Sequence, residues 1–259
     1  MTFLEHIDEL RSRLLRIMAT VIAITLFSFL FGIKRFEFEN VSLYLPYPNP
    51  FDDVAALLIR KIQADMLPEN VKLIVTSPGQ AIVAQLYVSL FLGIILAMPV
   101  ILYQIAAFVG PGLYPHESHA ARRLLLPSAF LFAVGAAFTY LFITPIAFQF
   151  LYEYGFVLGA ETFITVDDLI SSVLLFALAG GLSFQLPILM WIVTIAGIVD
   201  TGFWRRNFSY AVVAIVIFGA VVTPDGSGIT MWLISGPMIA LYVAAYLVLR
   251  RKTLKTHGA

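Results

Sequence analysis

Two glutamates in the polar segments of this apolar chain are the side chains best suited to bind a ligand. The stretch FVGPGLYPHE, Phe108–Glu117, joins two long apolar runs and ends in a carboxylate. Pro111 restricts its backbone and Gly112 permits a tight turn, so the stretch can hold Glu117 in a fixed place. The alternative is that Glu117 only caps the following helix, where the positive end of the helix dipole favours a carboxylate.

The second glutamate lies in the N-terminal segment TFLEHIDELRSRLLRI. Its pattern predicts an amphipathic helix with Leu14 on the apolar face and Glu9 one turn from Arg13, close enough to pair. A solvated helix with one salt bridge would explain this pattern. If the helix lies beside the turn, however, Glu9 and Glu117 form one surface that accepts guanidinium groups bidentately, which lysine cannot imitate.

Other chemistry is poorly supported, and we predict neither an enzyme nor a bound cofactor. The chain has no cysteine, four histidines and no G-x-x-x-x-G-K-[ST] loop, and the HESH at 116–119 lacks the spacing of a metal motif. The formal net charge is zero, which suggests no nucleic-acid partner. The most polar side chain inside an apolar run is Gln185, which either bonds a neighbouring helix or makes a functional contact.

Composition identifies a membrane protein, because 60% of the residues are hydrophobic, 12% are charged and the mean hydropathy is +0.92. We expect a single all-α membrane domain over 1–259 with six spans. They cover approximately 17–33, 81–109, 124–151, 169–199, 206–222 and 229–249. The apolar part of the fifth run, Phe208–Val222, is short, so either the helix continues through Arg205 and Arg206 or the protein thins the bilayer.

The remaining polar segments and the prolines refine this picture. In the first long loop we expect an extended piece at 35–41, PPII or turn geometry at prolines 46, 48 and 50, and an amphipathic helix over 51–66. Prolines also occur inside the spans, where they can bend helices into a concave bundle or reflect only the frequency of proline in membrane helices.

The distribution of charge predicts the orientation. The side with the two termini and the loops 110–123 and 200–207 holds 11 of the 16 Lys and Arg residues but only 5 of the 16 Asp and Glu residues. The positive-inside rule therefore places both termini in the cytoplasm. We expect the first apolar run to be retained as a span and not cleaved as a signal peptide.

At these residues the chain resembles the TatC family, the receptor subunit of the twin-arginine protein translocase. The segment HIDELRSRLL resembles the family's N-terminal signature, and PVILYQIAAFVGPGLYPHE, at 99–117, resembles its most recognisable block. YLFITPIAFQFL, GLSFQLPI and the TPD at 223–225 agree in order and position. The resemblance covers nearly the whole chain.

The resemblance implies a concave, glove-like bundle of six helices in the cell membrane. It implies binding of twin-arginine signal peptides of folded precursors at the cytoplasmic face, assembly with TatA/TatB-type single-span subunits in a complex with more than one copy of this chain, and export driven by the proton-motive force. A secondary transporter or channel for small solutes is the alternative function, and a structural scaffold is another.

The resemblance also assigns site residues. Glu9 and Glu117 would contact the paired arginines, with Arg11, Leu14 and Phe108 nearby. Gln185 stands where many relatives carry glutamate and would contact a partner helix. Structural or functional turns are implied at Pro48 or a neighbouring proline, at Pro111 and Gly112, and at Asp225.

Overall fold

A computed structural model of the chain describes residues 3–38, 41–49, 51–68, 70–109, 124–159, 162–223 and 228–257. Its helices are α1 (Phe3–Leu30), α2 (Val54–Met66), α3 (Gln80–Val109), α4 (Leu125–Phe138), α5 (Thr144–Val157), α6 (Val166–Ser183), α7 (Leu186–Ile195), α8 (Thr201–Arg206), α9 (Phe208–Val222) and α10 (Ile229–His257), with a π-helical turn at Thr139–Ile143. Its strands are β1 (Phe31–Phe38), β2 (Val41–Pro48), β3 (Lys72–Ile74) and β4 (Phe163–Thr165).

Six apolar helical segments account for the membrane spans. Five of them are long and apolar enough to cross a bilayer: Glu5–Leu30, Gln80–Phe108, Leu125–Val157, Val166–Ile195 and Ile229–Arg251. The sixth, Phe208–Val222, is apolar but shorter. The predicted all-α class with six membrane helices is therefore confirmed.

The chain divides into two compact units. The first comprises Met1–Val100 and Phe148–Leu174, and the second comprises Ile101–Ala147 and Leu175–Ala259. A single domain over 1–259 stays a prediction.

In the first unit, α1 ends at Leu30 and the chain continues directly into an antiparallel hairpin of β1 and β2, so Ile33 lies in a strand and not in the first span. Pro46 and Pro48 pair with Ile33 and Phe31 in this hairpin, where PPII or turn geometry was expected. A proline cannot donate to a neighbouring strand, but prolines two residues apart can both direct their nitrogens away from it. The backbone N–H of Asn49 then donates to the Leu30 carbonyl at 3.0 Å.

Helix α2 is anchored at its start by a buried carboxylate. Asp53 is 0% exposed, and its Oδ1 accepts from the Ala56 backbone N–H at 2.6 Å. Its Oδ2 accepts from Gln85 Nε2 of α3. This N-cap fixes one turn of α2 to α3, and Ile62 and Met66 on α2 are buried.

In the second unit, α10 packs against both α7 and α9 around a buried apolar core. Trp204 of the short helix α8 packs against this core and is hydrogen-bonded to it. Its Nε1 donates to Thr194 Oγ1 and its carbonyl accepts from Tyr242 Oη, both at 2.8 Å. Asn207 leaves helical geometry and its Nδ2 donates to the Phe203 carbonyl at 3.0 Å, so α9 begins at Phe208 and does not continue through Arg205 and Arg206.

Prolines interrupt two of the long apolar runs. The π-helical turn ends just before Pro145, which cannot donate a backbone hydrogen bond, and Thr144 Oγ1 donates to the Thr139 carbonyl at 2.9 Å. The run at 169–199 breaks between α6 and α7, two residues before Pro187. Both irregularities therefore end two residues before a proline, and the bending of these helices stays a prediction.

Candidate functional site

The predicted binding carboxylate Glu9 lies on α1 and is already paired with Arg13, one turn further along. Arg13 Nε donates to Glu9 Oε1 at 2.9 Å, and Arg13 Nη2 donates to the same oxygen. Only 17% of the Glu9 side chain and 19% of the Arg13 side chain are exposed. The pairing inferred from the four-residue spacing is therefore present, and it is partly shielded from water.

The second carboxylate oxygen of Glu9, Oε2, can still accept a hydrogen bond. Oε2 is buried and accepts no hydrogen bond from any described residue. His6 Nδ1 lies 3.8 Å from this oxygen, which is too long for a hydrogen bond. A buried acceptor without a partner costs about 1–3 kcal/mol, so a donor that reached Oε2 would be bound favourably.

The other predicted residues of α1 are available to a ligand. Arg11 is exposed, and Leu14 is 52% exposed. Helix α1 therefore presents a cation and an apolar side chain next to the turn that carries Glu9. Such a surface suits a peptide that has both charged and apolar segments.

The remaining site residues are only partly placed. Phe108 is half-buried at the end of α3 and belongs to the second unit. Glu117, Pro111, Gly112 and Asp225 lie outside the described residues. The pairing of Glu9 with Glu117 on one surface stays a prediction. Pro48 is exposed at the end of β2, and its role also stays a prediction.

Gln185 lies at the break between α6 and α7 and is 8% exposed. Ser128 Oγ donates to Gln185 Oε1 at 2.8 Å, and Gln185 Nε2 donates to the Ser128 carbonyl at 3.0 Å. Both ends of the amide are thus bonded within the second unit. This geometry supports the structural alternative for Gln185, and its contact with a partner helix stays a prediction.

Sequence reasoning missed several of these polar contacts. His6 precedes Glu9 by three residues, and residues at this spacing are neighbours on the surface of a helix. The spacing could therefore have predicted that His6 lies near Glu9. Asp53 directly precedes an apolar helical pattern, which is the usual signal of an N-cap. Ser128 is 57 positions from Gln185 and carries no local signal. Among the described residues, no group of three or more His, Asp or Glu side chains could hold a metal ion.

Comparisons with known proteins agree over nearly the full length. A family model described as Sec-independent protein translocase protein (TatC) matches residues 5–237. The TatC protein of Cenarchaeum symbiosum (strain A) is 44% identical over 259 residues, covering 100% of this chain and 98% of that protein. The TatC protein of Aquifex aeolicus (strain VF5) is 34% identical over 243 residues, covering 93% and 92%.

A solved structure is similar as well. A crystal structure of the Twin Arginine Translocase Receptor TatC matches with a TM-score of 0.78 and 31% sequence identity. The match covers 96% of this chain and 99% of the other. The likeness therefore extends over the whole set of spans.

Proposed function

The chain belongs to the TatC family of Sec-independent protein translocase proteins, and we propose that it is the receptor that binds twin-arginine signal peptides of folded precursors. It is a multi-pass membrane protein and a component of a protein translocase, and we propose that it has no enzymatic activity of its own. We place it in the cell membrane with both termini in the cytoplasm. There it would recruit TatA/TatB-type single-span subunits and further copies of itself, for export driven by the proton-motive force.

The state of the Glu9 carboxylate is the observation that carries this proposal. The carboxylate is partly buried, and one of its oxygens has no hydrogen-bond partner among the described residues. A guanidinium group presents two parallel N–H donors and can bind both oxygens of a carboxylate. An ammonium group offers only a compact point charge, so such a site favours arginine over lysine.

The other predicted residues complete the proposed site. Glu117 would hold the second arginine of the pair. Leu14 and Phe108 would contact the apolar segment of the peptide, and Arg11 would contact its backbone or acidic groups. Asp225 and Pro48 would act at the opposite side of the membrane, where the first and last outer loops are expected.

Peptide binding tests this proposal directly. We expect the purified protein in detergent to bind a fluorescent twin-arginine signal peptide more tightly than its twin-lysine counterpart. Glu9→Gln should weaken the twin-arginine peptide about tenfold or more, because a hydrogen bond to a charged group is worth about 1.5–3 kcal/mol. Glu117→Gln should act in the same direction.

The matched control is Asp8→Asn. Asp8 is the neighbour of Glu9 on α1 and is exposed, but it points about 100° away around the helix. Its loss removes the same charge and should change the affinity less than twofold. Equal affinity for both peptides, or equal effects of Glu9→Gln and Asp8→Asn, would refute recognition of arginine by Glu9. The alternative function, transport of small solutes, would then have to be tested.

A further inference from the structure

The Glu9 carboxylate is not vacant in the free protein, because a guanidinium group of the same helix already occupies it. Arg13 directs both Nε and Nη2 at Glu9 Oε1. We propose that Arg13 is an internal competitor, which occupies the guanidinium site of Glu9 until the arginine of an incoming peptide displaces it. This inference rests on the proposed function and concerns the same site.

The geometry of the Glu9–Arg13 pair explains how an arginine of the peptide can displace Arg13. Both Arg13 donors converge on one oxygen and leave Oε2 without a hydrogen bond among the described residues. Arg13 is fixed to the helix four positions from Glu9, which constrains the approach of its guanidinium plane. A peptide arginine has no such constraint and can align two N–H groups with the two carboxylate oxygens.

The burial of the pair explains why a competitor is useful. Only 17% of the Glu9 side chain is exposed, so a carboxylate without a cation there would carry an unbalanced desolvation penalty. Arg13 supplies that cation when no peptide is bound. It keeps the Glu9 side chain in one orientation and leaves an oxygen ready for a better donor set.

Competition has a quantitative consequence. If only a fraction of the protein has Glu9 released from Arg13, the apparent affinity for a guanidinium ligand is reduced by that fraction. Removing the competitor should therefore tighten binding. The gain should depend on Glu9, because Arg13 can compete only where the carboxylate is present.

The test is a titration of the full-length protein in detergent with a fluorescent twin-arginine signal peptide. We expect Arg13→Gln to lower the dissociation constant about three- to tenfold. Arg13→Lys should lower it by a smaller factor, since lysine keeps the charge but loses the planar pair of donors. Arg13→Lys also keeps the measurement decisive if the glutamine variant does not fold.

Arg16→Gln is the matched control. Arg16 lies on the same helix and is exposed, so its loss removes the same charge and reduces general repulsion of a cationic peptide. It should change the dissociation constant less than twofold. A gain for Arg16→Gln equal to that for Arg13→Gln would overturn the proposal, as would weaker binding by Arg13→Gln.

The Glu9→Gln background separates this inference from the proposed function. There, adding Arg13→Gln should leave the affinity unchanged within twofold, and a persistent gain would overturn the internal competitor. If the wild-type protein does not prefer the twin-arginine peptide, or Glu9→Gln has no effect, the proposed function itself fails. If the wild-type protein prefers the twin-arginine peptide and Glu9→Gln weakens its binding, but Arg13→Gln does not tighten binding, only the role of Arg13 as a competitor is refuted.

Discussion

Gln185 shows how a single polar side chain can be stabilised inside an apolar helix bundle. Its amide and the hydroxyl and carbonyl of Ser128 bond reciprocally, so neither the amide oxygen nor the amide nitrogen lacks a partner. Hydrogen bonds between membrane helices contribute on average about 0.6 kcal/mol and at most about 1.7 kcal/mol. The pair therefore stabilises the contact between α4 and the α6–α7 break by an amount that a mutant cycle can resolve.

We expect Ser128→Ala to lower the free energy of unfolding by about 1 kcal/mol, because Gln185 Oε1 then loses its donor. Reversible unfolding in mixed micelles would measure it. Ser183→Ala is the matched control, because Ser183 is also buried but its Oγ donates within its own helix, to the Ala179 carbonyl at 2.6 Å. A cycle of Ser128→Ala with Gln185→Leu should give a coupling energy above zero, and additive effects would contradict the reciprocal pair.

At the scale of elements, the approach of α1 to α3 depends on a glycine. A Cβ atom built on Gly93 would overlap Thr25 Oγ1 and would lie 2.9 Å from the Val21 carbonyl oxygen. The hydroxyl of Thr25 can rotate away, but the carbonyl is part of the backbone of α1 and moves only with the helix. Gly93 therefore sets how closely the helix that carries Glu9 packs against α3.

Gly93→Ala should reduce the free energy of unfolding by about 1–3 kcal/mol, which is the usual penalty of overpacking a close contact. The control is Gly236→Ala on α10, where a Cβ would meet nothing within 4 Å. That substitution should be neutral or stabilising, because alanine favours a helix by about 1 kcal/mol over glycine. Thermal unfolding in detergent would compare the two variants. Similar midpoints for Gly93→Ala and wild type would show that α1 does not lie against α3 at this position.

The helices were largely predictable because a membrane span requires about 20 consecutive, mostly apolar residues, which can be read directly from the sequence. Proline marked the break before Pro187, and a four-residue spacing marked the Glu9–Arg13 pair. The hairpin was harder to predict, since Ile33 continues an apolar run and Pro46 and Pro48 argue against a strand. The start of α9 at Phe208 depends on the local geometry of Asn207.

Contacts between residues that are distant in the chain could not be predicted. Ser128 and Gln185 are 57 positions apart, and Asp53 and Gln85 are 32 apart. Each pair is specified by how two helices pack, which a short sequence window does not contain. The same limit applies to the proposed meeting of Glu9 and Glu117, which the family resemblance implies but no local sequence pattern specifies.

At the scale of the whole molecule, the distribution of charge and the lengths of the apolar helices together determine how the chain is expected to lie in the membrane. The sides predicted to be cytoplasmic and external differ sharply in basic residues, and the fifth span contributes only 15 residues, or about 22 Å of helix. Since α9 does not continue through Arg205 and Arg206, local thinning of the bilayer stays the prediction for this short span. From the charge distribution we expect α8 to lie at the cytoplasmic surface.

The orientation can be tested with single cysteines, because the chain contains none of its own. Cysteines at Phe51 and Leu158, which are 89% and 72% exposed, should react with a membrane-impermeant maleimide in intact cells. A cysteine at Arg205 should react only in inverted vesicles, since the positive-inside rule keeps that loop in the cytoplasm. Labelling after solubilisation in detergent is the control that each thiol is reactive. Labelling of position 205 in intact cells, with protection of 51 and 158, would reverse the topology and place Glu9 on the wrong side of the membrane to meet a precursor.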